Sequence, residues 1–148
     1  MNLFALEPLL IARLQAVLPP EAQVLTAPYM ADLAELETRG VKLPAVYVMH
    51  LDGVPIEAPH GSRFGLRLVQ RWAVVAAVLE RSVQPQATAA RSQAGELGEA
   101  IVQALHGYLP VTPGKALALA RVLFPLYRAG GLQLLPLIFT YETPRVCG

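Results

Sequence analysis

Cysteine is almost absent from the sequence. The single residue, Cys147, has no partner for a disulfide within the chain, and such a chain suits a reducing compartment. Histidine is nearly as scarce, and His50, His60 and His106 show none of the spacings typical of zinc ligands. We therefore expect neither a disulfide framework nor a metal site.

Charged residues are also few, at 16% of the chain against roughly 25% in an average soluble domain. The formal net charge of +1 provides no basic field of the kind that marks strong nucleic-acid binding. The one basic cluster is Arg63, Arg67 and Arg71, whose spacing places the side chains on one side of a strand. The cluster either meets phosphate or a carboxylate of a neighbouring protein, or forms the solvated face of a half-buried strand.

Long hydrophobic runs are missing as well. No stretch reaches the roughly 18 uninterrupted apolar residues of a membrane span. The N-terminal region lacks the basic segment of a signal peptide and is interrupted by Glu7 and Arg13, so we expect a soluble, cytoplasmic chain. Apolar residues still make up 54% of the sequence. The excess apolar residues could all lie in one large core, or some of them could form a surface that a partner buries. The alternative is a general composition rich in Ala and Leu.

Motifs for enzymatic chemistry are missing too. Gly114-Lys115 does not form a phosphate-binding loop, because Gly107 stands at the wrong spacing and Ala116 replaces the Ser or Thr that binds magnesium. No G-x-S-x-G motif for a nucleophilic serine occurs. We expect no enzymatic activity, no cofactor and no bound nucleotide.

Several polar or aromatic residues have a simple structural interpretation. Asp32 and Glu35 are expected on the charged outer face of a helix. Trp72, next to Arg71, is expected to pack in the core rather than to stack on a ligand. His106, at a predicted helix end, is expected to interact favourably with the helix dipole rather than to act in catalysis.

Hydrophobic periodicity predicts a single α+β domain, in which two main helices pack on a mainly antiparallel sheet. The helices are predicted over 4–18, 29–38 and 84–107, and the strands over 23–26, 43–51, 66–79, 116–127 and 132–143. Residues 52–65 are rich in Gly and Pro and are predicted to form a long loop. Leu97, Ile101 and Leu105 are predicted to be buried against the sheet. Pro125 and Pro136 are predicted to lie at an edge, a bulge or a strand end.

Five segments in this order resemble the phage tail terminator family. They are LEPLLIARLQAVLP, KLPAVYVMH, QRWAVVAAV, AGELGEAIVQALHGYLP and LFPLYRAGGLQLLPLIFTYET, and together they cover most of the chain. Each is a common pattern when taken alone. Their order favours the family, as do Tyr108 directly after ALHG and the final L-P-L-x-F-x-x-E.

The resemblance implies a protein of the virion tail that assembles in the host cytoplasm and has no cofactor or catalytic residues. Its implied partners are other copies of itself in a ring, usually a hexamer, the tail tube protein and the head-tail connector protein. The ring caps the tube, stops its growth and joins it to the connector, and DNA passes through without specific binding. The alternatives are another virion ring component, such as a head-completion or minor tail protein, and a small ligand-binding domain or enzyme.

The predicted loop 52–65 and the adjacent strand supply the candidate assembly contacts. A loop of this length without its own regular structure is often functional. Its bulkiest apolar side chains could be buried on a neighbouring subunit or on the tube, and its arginine could pair with a carboxylate there. The alternative is an ordinary connection between two strands. The candidate contacts are Ile56, Arg63, Phe64, Arg67 and Arg71.

Overall fold

The computed structural model describes residues 3–26, 42–56, 67–79, 88–112, 114–123, 125–127 and 131–143. Within these ranges, two helices and six strands are formed. The helices are α1 (Leu6–Val17) and α2 (Thr88–Leu105), and the strands are β1 (Gln23–Thr26), β2 (Ala45–Ile56), β3 (Arg67–Leu79), β4 (Ala118–Val122), β5 (Leu126–Tyr127) and β6 (Leu132–Glu142). The helix predicted over 29–38 lies outside the described residues.

The strands form one sheet in the order β1-β2-β3-β6-β4, and β5 also pairs with β6. β1 runs parallel to β2, whereas every other pairing is antiparallel. β4 and β5 pair with successive parts of β6. The predicted α+β class, with a mainly antiparallel sheet, is therefore confirmed.

Both helices pack on one face of the sheet. The apolar positions of α1 that recur every fourth residue, Leu6, Leu10 and Leu14, are buried. On α2, Leu97, Ile101 and Leu105 are buried as predicted, and they join Trp72 and Phe139 of the sheet in one cluster. Gly107, with φ of 79°, follows α2 in the left-handed conformation that commonly terminates helices.

Arg13 connects the two helices. Its Nε donates a hydrogen bond of 3.0 Å to the carbonyl oxygen of Ala104, and its guanidinium lies 5.0 Å from the centre of the Tyr108 ring. A planar cation suits both contacts, because it can donate at its edge while its face stacks on the aromatic ring. The tyrosine directly after ALHG therefore has a structural role where α1 meets the end of α2.

The opposite face of the sheet contains a second buried cluster. It consists of Ala45, Tyr47, Met49, Ala73, Val75, Ala77, Leu132, Leu134 and Ile138. Trp72 through Val78 are buried without interruption, so this part of β3 has no exposed side. The apolar run AVVAAVL, residues 73–79, thus belongs to a central strand covered on both faces, and part of the apolar excess lies in these two clusters.

The loop predicted over 52–65 is wrong in its first part, because β2 continues to Ile56 and pairs with β3 as far as Arg67. The register shifts between His50 and Asp52, which identifies a β-bulge at Leu51. The prediction of a loop rests on the Gly and Pro content of the segment, and Pro55 itself cannot donate a hydrogen bond to a ladder. In the described part of the chain, β1 pairs only with residues 45–48 of β2, so β2 is an edge strand at Pro55. An edge strand tolerates proline, because the missing amide proton has no partner strand on that side. Residues 57–66 lie outside the described residues.

The two strand prolines have different positions. Pro125 immediately precedes β5, at a strand end as predicted. Pro136 lies inside β6 and pairs with Val75 of β3, but on its other side it faces the break between β4 and β5, which is a local edge of the sheet. The carbonyl oxygen of Pro136 accepts a hydrogen bond of 3.0 Å from the Leu123 amide, in the break between β4 and β5. Since the amide nitrogen and carbonyl of one strand residue point the same way, the missing donor faces that break.

Candidate assembly surfaces

Arg67 and Arg71 lie on the same face of β3, as their spacing predicts, and both form ion pairs within the chain. Arg71 Nε donates a hydrogen bond of 2.7 Å to Asp52 Oδ1, and a second nitrogen of the same guanidinium contacts Oδ2. These hydrogen bonds lower the pKa of the Asp52 carboxyl below its usual value. Arg67 Nη1 lies 2.9 Å from Glu142 Oε1. The two arginines form a charge-compensated, solvent-exposed surface at the end of the β2–β3 hairpin.

The other candidate contacts are only partly placed. Ile56 ends β2, pairs with Arg67 and is half-buried. Arg63 and Phe64 lie outside the described residues. Val54 is the most exposed large apolar side chain in the described part of the hairpin, at 56%. The structure thus brings Ile56, Arg67 and Arg71 together near the end of one hairpin.

The segment before α1 is held against the middle of the hairpin. Gln70 is buried; its Nε2 donates to the Leu3 carbonyl oxygen at 2.9 Å, and its Oε1 accepts from Trp72 Nε1 at 2.9 Å. The His50 ring lies between Phe4 and Trp72, with edge-to-face contacts at 5.2 Å and 4.9 Å. Trp72 is completely buried, so it is a core residue, as predicted.

His106 directly follows α2 and contacts β4. Its Nδ1 accepts a hydrogen bond of 3.0 Å from the Leu119 amide. His106 serves here as a hydrogen-bond acceptor that joins the end of α2 to β4. The residue is structural, as expected, and its interaction with the helix dipole stays a prediction.

The segment between α2 and β4, which contains Gly114 and Lys115, forms a loop closed at its base. The Gly107 amide donates to Leu117 O, and the Leu117 amide donates to Tyr108 O, each at 2.8 Å. A Cβ atom on Gly114 would lie 2.6 Å from the carbonyl oxygen of Val111, so a tight approach of the backbone requires glycine there. Lys115 is exposed.

A groove of about 170 Å³ lies where the turn before β1, the start of β2 and the middle of α2 meet. Its apolar lining is formed by Pro19, Ala22, Pro44, Leu97 and Ala100. Glu21 and Glu96 supply carboxylates, and neither has an ion-pair partner among the described residues. Sequence reasoning missed this groove because its residues come from separate segments with no common motif.

No cluster of three or more His, Cys, Asp or Glu residues that could hold a metal ion occurs in the described ranges. In those same ranges, no helix combines the length and apolar character needed to cross a membrane.

The family described as phage tail terminator protein matches residues 1–145. A solved structure titled "Virion of native gene transfer agent (GTA) particle" is similar, with a TM-score of 0.50 and 16% identity. This match covers 91% of the present chain and 84% of that one, and at this identity it shows a shared fold. No match was found among curated proteins. The family match makes the chain a structural component of a phage virion, and the protein belongs to the phage tail terminator family.

Proposed function

We propose that the protein is a tail terminator subunit, which forms a homomeric ring, a hexamer, on the end of the tail tube. The ring stops growth of the tube and provides the surface on which the head-tail connector docks. The observation that carries this proposal is the family match over residues 1–145. The protein acts by assembly alone, in the host cytoplasm and then in the virion tail, without enzymatic activity or a cofactor.

The polar residues of the described part support a structural role. Gln70, His106 and Arg13 each contact another segment of the chain and help to hold the fold together. A net charge of +1 is compatible with a ring through which DNA passes without being held, because phosphate binding requires concentrated positive charge.

The end of the β2–β3 hairpin is the proposed contact with the tube or with a neighbouring subunit. It includes Ile56, Arg67 and Arg71, together with Arg63 and Phe64 of the following segment. Support comes from the exposed Val54 on the same hairpin and from the long projection of the paired strands beyond β1. Exposed ion pairs are weakly held and can exchange partners when a new carboxylate approaches.

Electron microscopy of particles made without this protein tests the proposed function. A terminator regulates the tube end, so its loss should produce tails of irregular and excessive length. Headless tails of normal length would instead favour a head-completion component.

Replacing residues 57–65 with a short turn tests the hairpin contact. The variant should fold, as judged by circular dichroism, but should fail to restore normal tails to particles that lack the protein. Full restoration would mean that these residues are only a connection between strands.

A further inference from the structure

The groove beside α2 has the chemistry of a site for a cationic side chain. Its volume of about 170 Å³ lies below the roughly 300 Å³ at which small-molecule pockets begin. The apolar lining suits the methylene stem of a lysine, while the two carboxylates suit its ammonium group. Glu21 and Glu96 are exposed and lack an ion-pair partner in the described ranges, so both carboxylates can accept an incoming cation.

The described residues of the loop between α2 and β4, 109–112 and 114–116, present a complementary surface. Leu109 and Val111 are exposed at 44% and 40%, and Lys115 is exposed without an ion-pair partner in the described part. The two backbone hydrogen bonds between residues 107–108 and Leu117 close the base of the loop. A loop whose base is already closed loses less conformational entropy on docking than a free segment.

The groove and the loop lie at different places along α2, because the middle of the helix lines the groove and the loop follows its end. The groove lies beside β1 and the start of β2, whereas the loop leads into β4, which is four strands away, or roughly 19 Å at the usual strand spacing. The two sites are also separated along the strand direction. Ala45, at the start of β2, pairs with Ala77 of β3, which pairs with Leu134 of β6, whereas Ala118, at the start of β4, pairs with Thr140 of β6. Six residues of β6 add roughly 20 Å at the rise of an extended strand. These separations place the loop of one chain away from its own groove.

We infer that the loop of residues 109–116 in one copy docks into the groove of the next copy, with Lys115 between Glu21 and Glu96. Two different complementary surfaces produce a head-to-tail contact, which closes into a ring when the rotation between copies allows it. This inference rests on the proposed ring and identifies the contact between its subunits. Leu109 and Val111 would cover the apolar lining around the ion pairs.

A charge exchange tests the contact in assembling particles. Lys115→Glu and the double variant Glu21→Lys, Glu96→Lys should each reduce the yield of complete particles at least about tenfold, because like charges then face one another. Combining all three substitutions in one chain should restore most of the yield, since opposite charges meet again. Thermal unfolding of each purified variant checks that the fold is retained.

The single variant Glu96→Lys should also lower the yield, and Glu99→Lys is its matched control. Glu99 lies on the same helix, is exposed like Glu96 and does not line the groove. It should leave the yield within about twofold of wild type, as expected for a surface charge outside the contact. Equal losses for the two positions, or failure of the combined variant to recover, would overturn the inference.

Cysteine cross-linking separates the contact from the ring itself. In a Cys147→Ser background, Glu96→Cys and Lys115→Cys in one chain should give a ladder of covalent oligomers when assembled tails are treated with a short bismaleimide, whose span matches that of a Glu–Lys pair, whereas each single cysteine should give monomer. If electron microscopy of the same tails shows the ring but the cysteine pair gives no ladder, the ring stands and this contact is wrong. If the images show no ring at the tail end, both the proposed ring and the contact are wrong.

Discussion

The two halves of the β2–β3 hairpin differ, although the same pair of strands runs through both. Near the start of β2, residues 45–49 face residues 73–77, and all ten are buried between the two clusters. Beyond the bulge at Leu51, residues 52–56 face residues 67–71, and exposed ion pairs replace the apolar contacts. Continuous backbone pairing therefore does not produce a core unless other elements cover the strand faces.

The buried half of the hairpin contributes to the stability of the fold, whereas the exposed half is the one proposed to take part in assembly. Burial of apolar surface dominates folding free energy, whereas exposed ion pairs contribute little. The first half of the hairpin should therefore determine whether the chain folds. The second half can tolerate substitution and is free to serve an interface, since changes there leave the buried clusters intact.

The largest effect is expected from a charge placed in the helix-covered cluster. Ile101 is completely buried on α2, so Ile101→Asp should lower the free energy of unfolding by about 5 kcal/mol or more. Gln103→Asp, at an exposed position of the same helix, is the control. A soluble Ile101→Asp protein with an unchanged denaturation curve would contradict this description of the core.

A truncation in each half of the hairpin compares them directly. Trp72→Ala removes a completely buried ring and should cost about 3–5 kcal/mol. Val54→Ala removes a side chain that is 56% exposed and should change stability by less than about 0.5 kcal/mol. Urea denaturation measures both, and similar costs would mean that the halves are not distinct.

A polar contact where the halves meet should have an intermediate effect. Gln70→Leu leaves Trp72 Nε1 and the Leu3 carbonyl without their partner, so it should cost about 1–3 kcal/mol. Gln15→Leu, at an exposed position of α1, provides the control and should have little effect. Equal denaturation midpoints for the two variants would rule out a stabilising role for Gln70.

The smallest effect concerns the pH dependence of the Arg71–Asp52 pair. Because Arg71 lowers the pKa of Asp52 in the folded state, the pair stabilises the protein above about pH 4, the unfolded value, and this contribution is lost as the pH falls through the folded pKa. The difference in unfolding free energy between wild type and Asp52→Asn should be small, since both side chains are substantially exposed. This difference in unfolding free energy should become smaller as the pH is lowered. A difference that grows below about pH 4 would mean that folding raises the pKa of Asp52 instead of lowering it.

The sequence alone determined the order and type of most described elements. The apolar periodicity of α2, the uninterrupted apolar run of β3 and the glycine after α2 are local signals, because helix and strand repeats differ and few residues adopt a positive φ. The order of these segments also indicated the family, which the match over residues 1–145 confirmed.

Only the tertiary structure decided which residues face one another. Pro55 and Pro136 argued locally against continuous strands, yet each is tolerated where a neighbouring strand ends or is interrupted. The partners of Arg67 and Arg71 depend on the bulge in β2 and on the position of β6 beside β3. Neither feature can be predicted from the sequence of β3. The groove and the loop of residues 109–116 are likewise set by strand order, because spatial proximity between distant segments depends on packing and has no local periodicity.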